Sequence, residues 1–168
     1  MYIGNPESIS ELYYYNSEVN AMQSYKDTAD EDKKTAKKKI LAACGNDCSV
    51  CPRYNAPPYE KTDDELRHTA ELWYKIGYRD RVVSNDEISC SGCKPENWCR
   101  YRVVSCYRDK GIHNCSECPE FPCGTMRECF AVTMSFAPKC REICTDEEYE
   151  QMKKAFFEKE KNLKAEQE

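Results

Sequence analysis

CSGCKPENWCRYRVVSCYRDKGIHNCSECPEFPC, residues 90–123, packs seven cysteines into one loop-rich stretch. Two C-x2-C pairs stand out in it, Cys90 with Cys93 and Cys115 with Cys118. Such a pair sets two sulfurs at the tip of one tight turn, about 3.8 Å apart, as a tetrahedral ion with Zn–S near ~2.3 Å requires. The gap between the pairs is just beyond the usual one of about 15–20 residues for paired zinc knuckles. There is also a faint internal echo. CSGCKPENWCRYRVVSC and CSECPEFPCGTMREC each run C-x2-C, then a cysteine, then another.

Upstream, CGNDCSVCP at 44–52 adds Cys44, Cys48 and Cys51 in C-x3-C-x2-C spacing. That spacing also belongs to enzymes that hold a catalytic iron–sulfur cluster for radical chemistry in a strand–helix barrel. The rest of this chain shows no repeating strand–helix units and carries ten further cysteines. The radical reading is therefore rejected, and the motif becomes one part of a distributed ligand set.

Helix geometry suggests how the thiols divide. If residues 100–110 are helical, Cys99 and Cys106 lie about 10 Å apart along the axis, too far to share one ion. The spacing then predicts Cys90, Cys93, Cys115 and Cys118 as one site. Cys44, Cys48 and Cys51 form the other, with Cys123 as the first choice for the fourth ligand and Cys99 or Cys106 as alternates. Cys129, Cys140 and Cys144 remain, and buried inert thiols are the expectation for them.

The composition demands such cross-links. Charged residues make up 33% of the 168, and the 13 cysteines and 12 tyrosines inflate the apolar count. Mean hydropathy is -0.87, so a large apolar core is not expected and metal or covalent staples replace part of it. The opening MYIGNPESISELYYY lacks a basic segment followed by an apolar run, and no stretch approaches the roughly 18 apolar residues of a membrane span. These features predict a cytoplasmic protein, where thiols stay reduced and dense cysteine signals metal rather than disulfides. The odd cysteine count agrees.

The balance of 25 Lys+Arg against 30 Asp+Glu argues against nucleic acid as a partner. Two tetrathiolate zinc sites would carry the formal charge from -5 to about -9.

Along the chain, residues 1–40 contain no cysteine and read as an N-terminal helical extension. In it, DTADEDKKTAKKKI places acids before bases, the order a helix dipole favours. TDDE at 62–65 is a capping box, and Leu66, Ala70, Trp73 and Ile76 follow at helical spacing, with Gly77 as the stop. TMRECFAVTM reads as a further helix, and TDEE from Thr145 opens the last one. Its stripe of Tyr149, Met152 and Phe156 fades past Leu163, and the tail KNLKAEQE is expected to fray.

The fold expected is mainly α: a small irregular metal-stapled domain, short helices joined by cysteine-rich knuckle loops, with little or no sheet. Its parts are the extension 1–40, a cysteine-rich metal-binding domain 41–125, and a C-terminal helical part 126–168 packed on it.

ACGNDCSVCPRY, then TDDELRHTAELWYK, then ISCSGCKPENWCRYRVVSCYRDKGIHNCSECPEFPC resembles the cysteine-rich family catalogued as domain of unknown function 3795. The likeness covers residues 40 to about 125 and ten of the thirteen cysteines. The N-terminal forty residues and the part with Cys129, Cys140 and Cys144 lie outside it. The resemblance implies a small metal-binding cytosolic domain and brings no activity.

The function expected is that of a zinc-binding protein with two structural four-cysteine sites, serving a protein partner without membrane attachment. A 4Fe-4S cluster for electron transfer or redox and metal handling is the alternative, since cysteine-only ligation suits both metals. Catalytic zinc is disfavoured, because the two histidines are not paired at ligand spacing. Oligomeric state does not follow from the sequence.

Overall fold

In the computed structural model, residues 39–94, 99 and 101–167 are described. The N-terminal extension expected over 1–40 lies almost wholly outside them. Seven α-helices are described: α1 (Asp63–Ile76), α2 (Asn85–Ile88), α3 (Val103–Asp109), α4 (Gly124–Ser135), α5 (Ala137–Ile143), α6 (Asp146–Met152) and α7 (Lys159–Ala165). Two short 3-10 turns, Cys48–Val50 and Cys115–Glu117, carry cysteines, and a π-helical segment, Lys153–Phe157, joins α6 to α7. Among the described residues there is no strand, only isolated bridges pairing Leu41 with Asp47 and Tyr54 with Cys90. The architecture is mainly α, as the spacing predicts. Among these residues no helix is long and apolar enough to cross a membrane.

α1 forms where its sequence says it should. Thr62 Oγ1 accepts the Glu65 backbone N–H, and Glu65 Oε2 accepts that of Thr62 at 2.8 Å, so two otherwise orphaned donors are satisfied reciprocally. Gly77 ends the helix at φ +87°, a left-handed conformation that glycine adopts without a Cβ penalty. Leu66, Ala70, Leu72, Trp73 and Ile76 are buried. Trp73 meets Phe156 edge-on at 5.8 Å between ring centres, fastening α1 to the π segment. Each fully buried large apolar side chain here contributes about 1.5–3 kcal/mol.

Three small cores result rather than one large one. The first gathers α1 with Ile88 of α2, Cys140 of α5 and Met152 of α6. The second joins Ala43, Val103, Cys115, Met126, Phe130 and Leu163, and the third Cys51, Tyr54, Tyr59 and Ala155. A cysteine belongs to each. Two capping boxes open α2 and α6, at Ser84 with Glu87 and at Thr145 with Glu148.

The C-terminal end corrects the sequence expectation. The tail KNLKAEQE, expected to fray, is helical to Ala165 in α7, and Leu163 is fully buried in the second core. Gly45 is the reason. A Cβ there would collide with the Lys159 carbonyl oxygen, so only glycine lets the loop after Cys44 close onto α7. Asn162 Nδ2 donates to Gly45 O at 2.9 Å, and Gln167 Nε2 to Ser116 O at 2.8 Å.

Candidate metal centre

The two 3-10 turns are the same local structure built twice. Residues 47–54, DCSVCPRY, and 114–121, NCSECPEF, share acid-or-amide, Cys-Ser-x-Cys-Pro, then an aromatic residue two positions on. Asp47 accepts the Ser49 backbone N–H at 3.0 Å; Asn114 accepts that of Ser116 at 2.7 Å. Short polar side chains at this position cap the turn with their own oxygen. The Cys51 N–H then donates to Cys48 O, and Cys118 N–H to Cys115 O, both at 3.2 Å. Each aromatic closes the loop with its own N–H, Tyr54 to Cys51 O and Phe121 to Cys118 O. The sequence echo noted above pairs residues 90–106 with 115–129; the structural repeat is this other one, whose signal is the CSxCP motif itself.

Both turns hang on the segment after Lys39. Cys48 N–H donates to Ile40 O at 2.7 Å, and Cys115 N–H to Ala43 O at 3.0 Å. The first turn is also seated on the π segment, where Ala155 O accepts the Asp47 N–H at 3.0 Å. A π turn frees carbonyls from the regular helical ladder, which is why such segments recur beside functional sites.

The thiols line two concavities. The larger, about 600 Å³, receives Cys44, Cys48 and Cys51 from the first turn and its approach. Cys90, Cys93 and Cys99 face it from the next cysteine stretch, and Cys129 from α4. Asn46, whose Oδ1 is buried without a hydrogen-bond partner among the described residues, belongs to the same wall. The smaller, about 360 Å³, is lined by Cys106 of α3, Cys115, Cys118 and Cys123. The structure thus divides the thiols differently from the spacing argument. Cys90 and Cys93 stand with Cys44, Cys48 and Cys51, while Cys115 and Cys118 stand with Cys106 and Cys123. Cys44 is near both sets, since it is among the neighbours that raise Cys93 and Cys115. Cys106, only an alternate by spacing, lines the same concavity as the second turn.

Electrostatics explains what these thiols lack. Burial, then the neighbouring Cys51, Cys93, Cys90 and Cys44, drives the Cys48 thiol far above its ordinary range. Cys51 is pushed up to about 11, chiefly by burial, although Arg53 opposes the rise. Burial and Cys44 raise Cys93 to about 11; burial, then Cys44, Cys106, Cys123 and Cys118, raises Cys115 to about 12. Thiols held neutral by burial, and further by one another's proximity, ionise when a dipositive ion enters among them. Among the described residues no three His, Cys, Asp or Glu side chains converge in ion-binding geometry. The clustered thiols, among them the C-x2-C turns, are nevertheless donors of the kind a thiophilic metal takes.

The remaining candidates lie elsewhere. Cys140 is fully buried in the first core and pushed up to about 11 by burial and Cys144; Cys144 is half-buried. His68 Nε2 meets Glu148 Oε1 at 2.5 Å, and His113 Nδ1 meets Glu117 at 3.2 Å on the surface. Among the described residues, lysines also lie close to sulfur. Lys110 Nζ lies 3.4 Å from Cys118 Sγ, and Lys159 Nζ 3.5 Å from Cys129 Sγ.

A family model described as "Protein of unknown function (DUF3795)" matches residues 40–128, which span both cysteine turns and Cys90 to Cys123. No curated protein and no solved structure matches the chain.

Proposed function

The chain belongs to the DUF3795 family, whose description names no activity, and from its own residues we propose that it is a metal-binding protein with structural zinc sites. The observation that carries this reading is the repeated CSxCP turn, each copy opening onto a concavity walled by further cysteines. The smaller site takes Cys106, Cys115, Cys118 and Cys123; the larger draws its four ligands from Cys44, Cys48, Cys51, Cys90 and Cys93, with Cys99 beside them. Zinc held by four thiolates is closed to substrate, so the role is structural: metal in the larger site ties the second core, through Cys44, to the third, through Cys48 and Cys51. Neither histidine lines either concavity among the described residues, which favours scaffold over catalysis. A cytoplasmic setting, with another protein as partner, is part of the same proposal; the thirteen cysteines suit a reducing compartment, and the net charge of -5 argues against nucleic acid.

The test is anaerobic purification followed by elemental analysis and a visible spectrum on one sample. About two equivalents of zinc without a band near ~400 nm are expected. Stoichiometric iron and sulfide with a bleachable band would instead establish the iron–sulfur alternative, which the prolines after Cys51 and Cys118 and the surplus of thiols in the larger concavity favour. Substituting Cys115 and Cys118 together removes one whole equivalent; unchanged content refutes the smaller site.

A further inference from the structure

Lys159 is out of place by ordinary rules. Lysine is almost never fully buried unless paired, yet its residue exposure is 6%. Among the described residues its ammonium meets Thr133 Oγ1 at 2.9 Å and Cys129 Sγ at 3.5 Å, and no carboxylate lies within ion-pair distance. A buried ammonium whose neighbours are a hydroxyl and a thiol lacks its opposite charge.

The wall it joins supplies the answer. Lys159 and Cys129 both line the larger concavity, together with the thiols of the first cysteine turn. Four thiolates on one dipositive ion leave two negative charges, and a cation in the same wall, bonded here to the non-ligating Cys129, offsets them. The position is built rather than incidental. Gly45, next to Cys44, lets the loop touch the Lys159 carbonyl, and Asn162 bonds the same loop. The helix that carries the ammonium is therefore clamped to the segment that carries the thiols. Lys110 beside Cys118 differs, since it is exposed and also pairs with Glu120 at 3.3 Å.

We propose that Lys159 is the resident counter-cation of the metal–thiolate group in the larger concavity, a positioning residue that holds thiolate charge without ligating the metal. The proposal rests on the metal-binding reading above.

The experiment uses the full chain, reduced and loaded with zinc, and follows release of each equivalent to a chromophoric chelator at fixed ionic strength. Lys159→Met keeps the side-chain volume and removes the charge; Lys159→Arg keeps the charge; Lys159→Gln is a second neutral variant should methionine impair folding. The expected result is one equivalent held about 10-fold or more weakly in the neutral variants, the other unchanged, and substantial recovery with arginine. Cadmium substitution should show the same selective loss in the sulfur-to-metal charge-transfer band. Wild-type retention of both equivalents in the neutral variants overturns the proposal. So does equal loss with methionine and arginine, which marks a packing role only. Failure of the unsubstituted protein to bind any thiophilic metal overturns the metal reading itself, and the proposal with it.

Discussion

Gly45 holds its backbone at φ +87°, and a Cβ there would overlap Lys159 O and stand 2.8 Å from Leu163 Cγ. Both the conformation and the contact exclude a side chain. Gly45→Ala is expected to cost about 2 kcal/mol or more, read as a lower urea midpoint; an unchanged midpoint would mean that the loop does not close on α7. At the surface, Glu87 is held down to about 2 by the Arg81 hydrogen bond, the Ser84 backbone adding to it. Its ordinary value is about 4.3, so the fold favours the ionised form. That stabilisation is complete above the unfolded value and is lost as pH falls through about 2. Carbon-13 titration of the Glu87 carboxyl should give this low midpoint, and Arg81→Gln should move it up. A midpoint near ~4.3 in the unsubstituted protein contradicts the pair.

Among the elements, the cysteine turns make the sharpest comparison because the chain contains two. Asp47 and Asn114 perform one task with different side chains, each accepting a backbone N–H two residues on. The oxygen matters there, and the charge does not. Asp47→Asn should therefore leave thermal stability nearly unchanged, whereas Asp47→Ala should cost about 1 kcal/mol, as loss of a cap does. Equal loss in both variants would show that the carboxylate charge is needed. The capping boxes at Thr62 and Thr145 follow the same local logic and are visible as TDDE and TDEE. α7 is different. Its sequence KEKNLKA has one large apolar residue, Leu163, and no stripe to announce burial. Leu163→Ala should nonetheless cost about 2–5 kcal/mol by chemical denaturation, since Leu163 is fully buried between the Gly45 loop and the second core. A value near that of an exposed leucine would undo the placement of α7.

At the scale of the whole molecule, the small cores would share stability with the thiol concavities once metal occupies them, as proposed above. Dialysis of the zinc-loaded protein against a strong chelator under reducing conditions should lower and broaden the thermal transition, and zinc should restore it. Indifference to chelation would mean that the cores suffice. What the sequence alone determined is local: capping boxes, the glycine stop after α1, the helix face of Leu66 to Ile76, and the tight turn of the Cys115–Cys118 pair. These depend on contacts within a few residues, which a linear reading captures. Which thiols share a concavity did not follow from spacing. Distance along a helix separates Cys99 from Cys106 but does not place the turns, both of which bond the segment after Lys39, Cys48 at Ile40 and Cys115 at Ala43. The buried Lys159 was equally hidden, because a lysine in KEKNLKA reads as solvated until Gly45 brings the loop against its helix. Only tertiary contact decides such pairings, since burial and charge neighbourhood belong to groups brought together from distant parts of the chain.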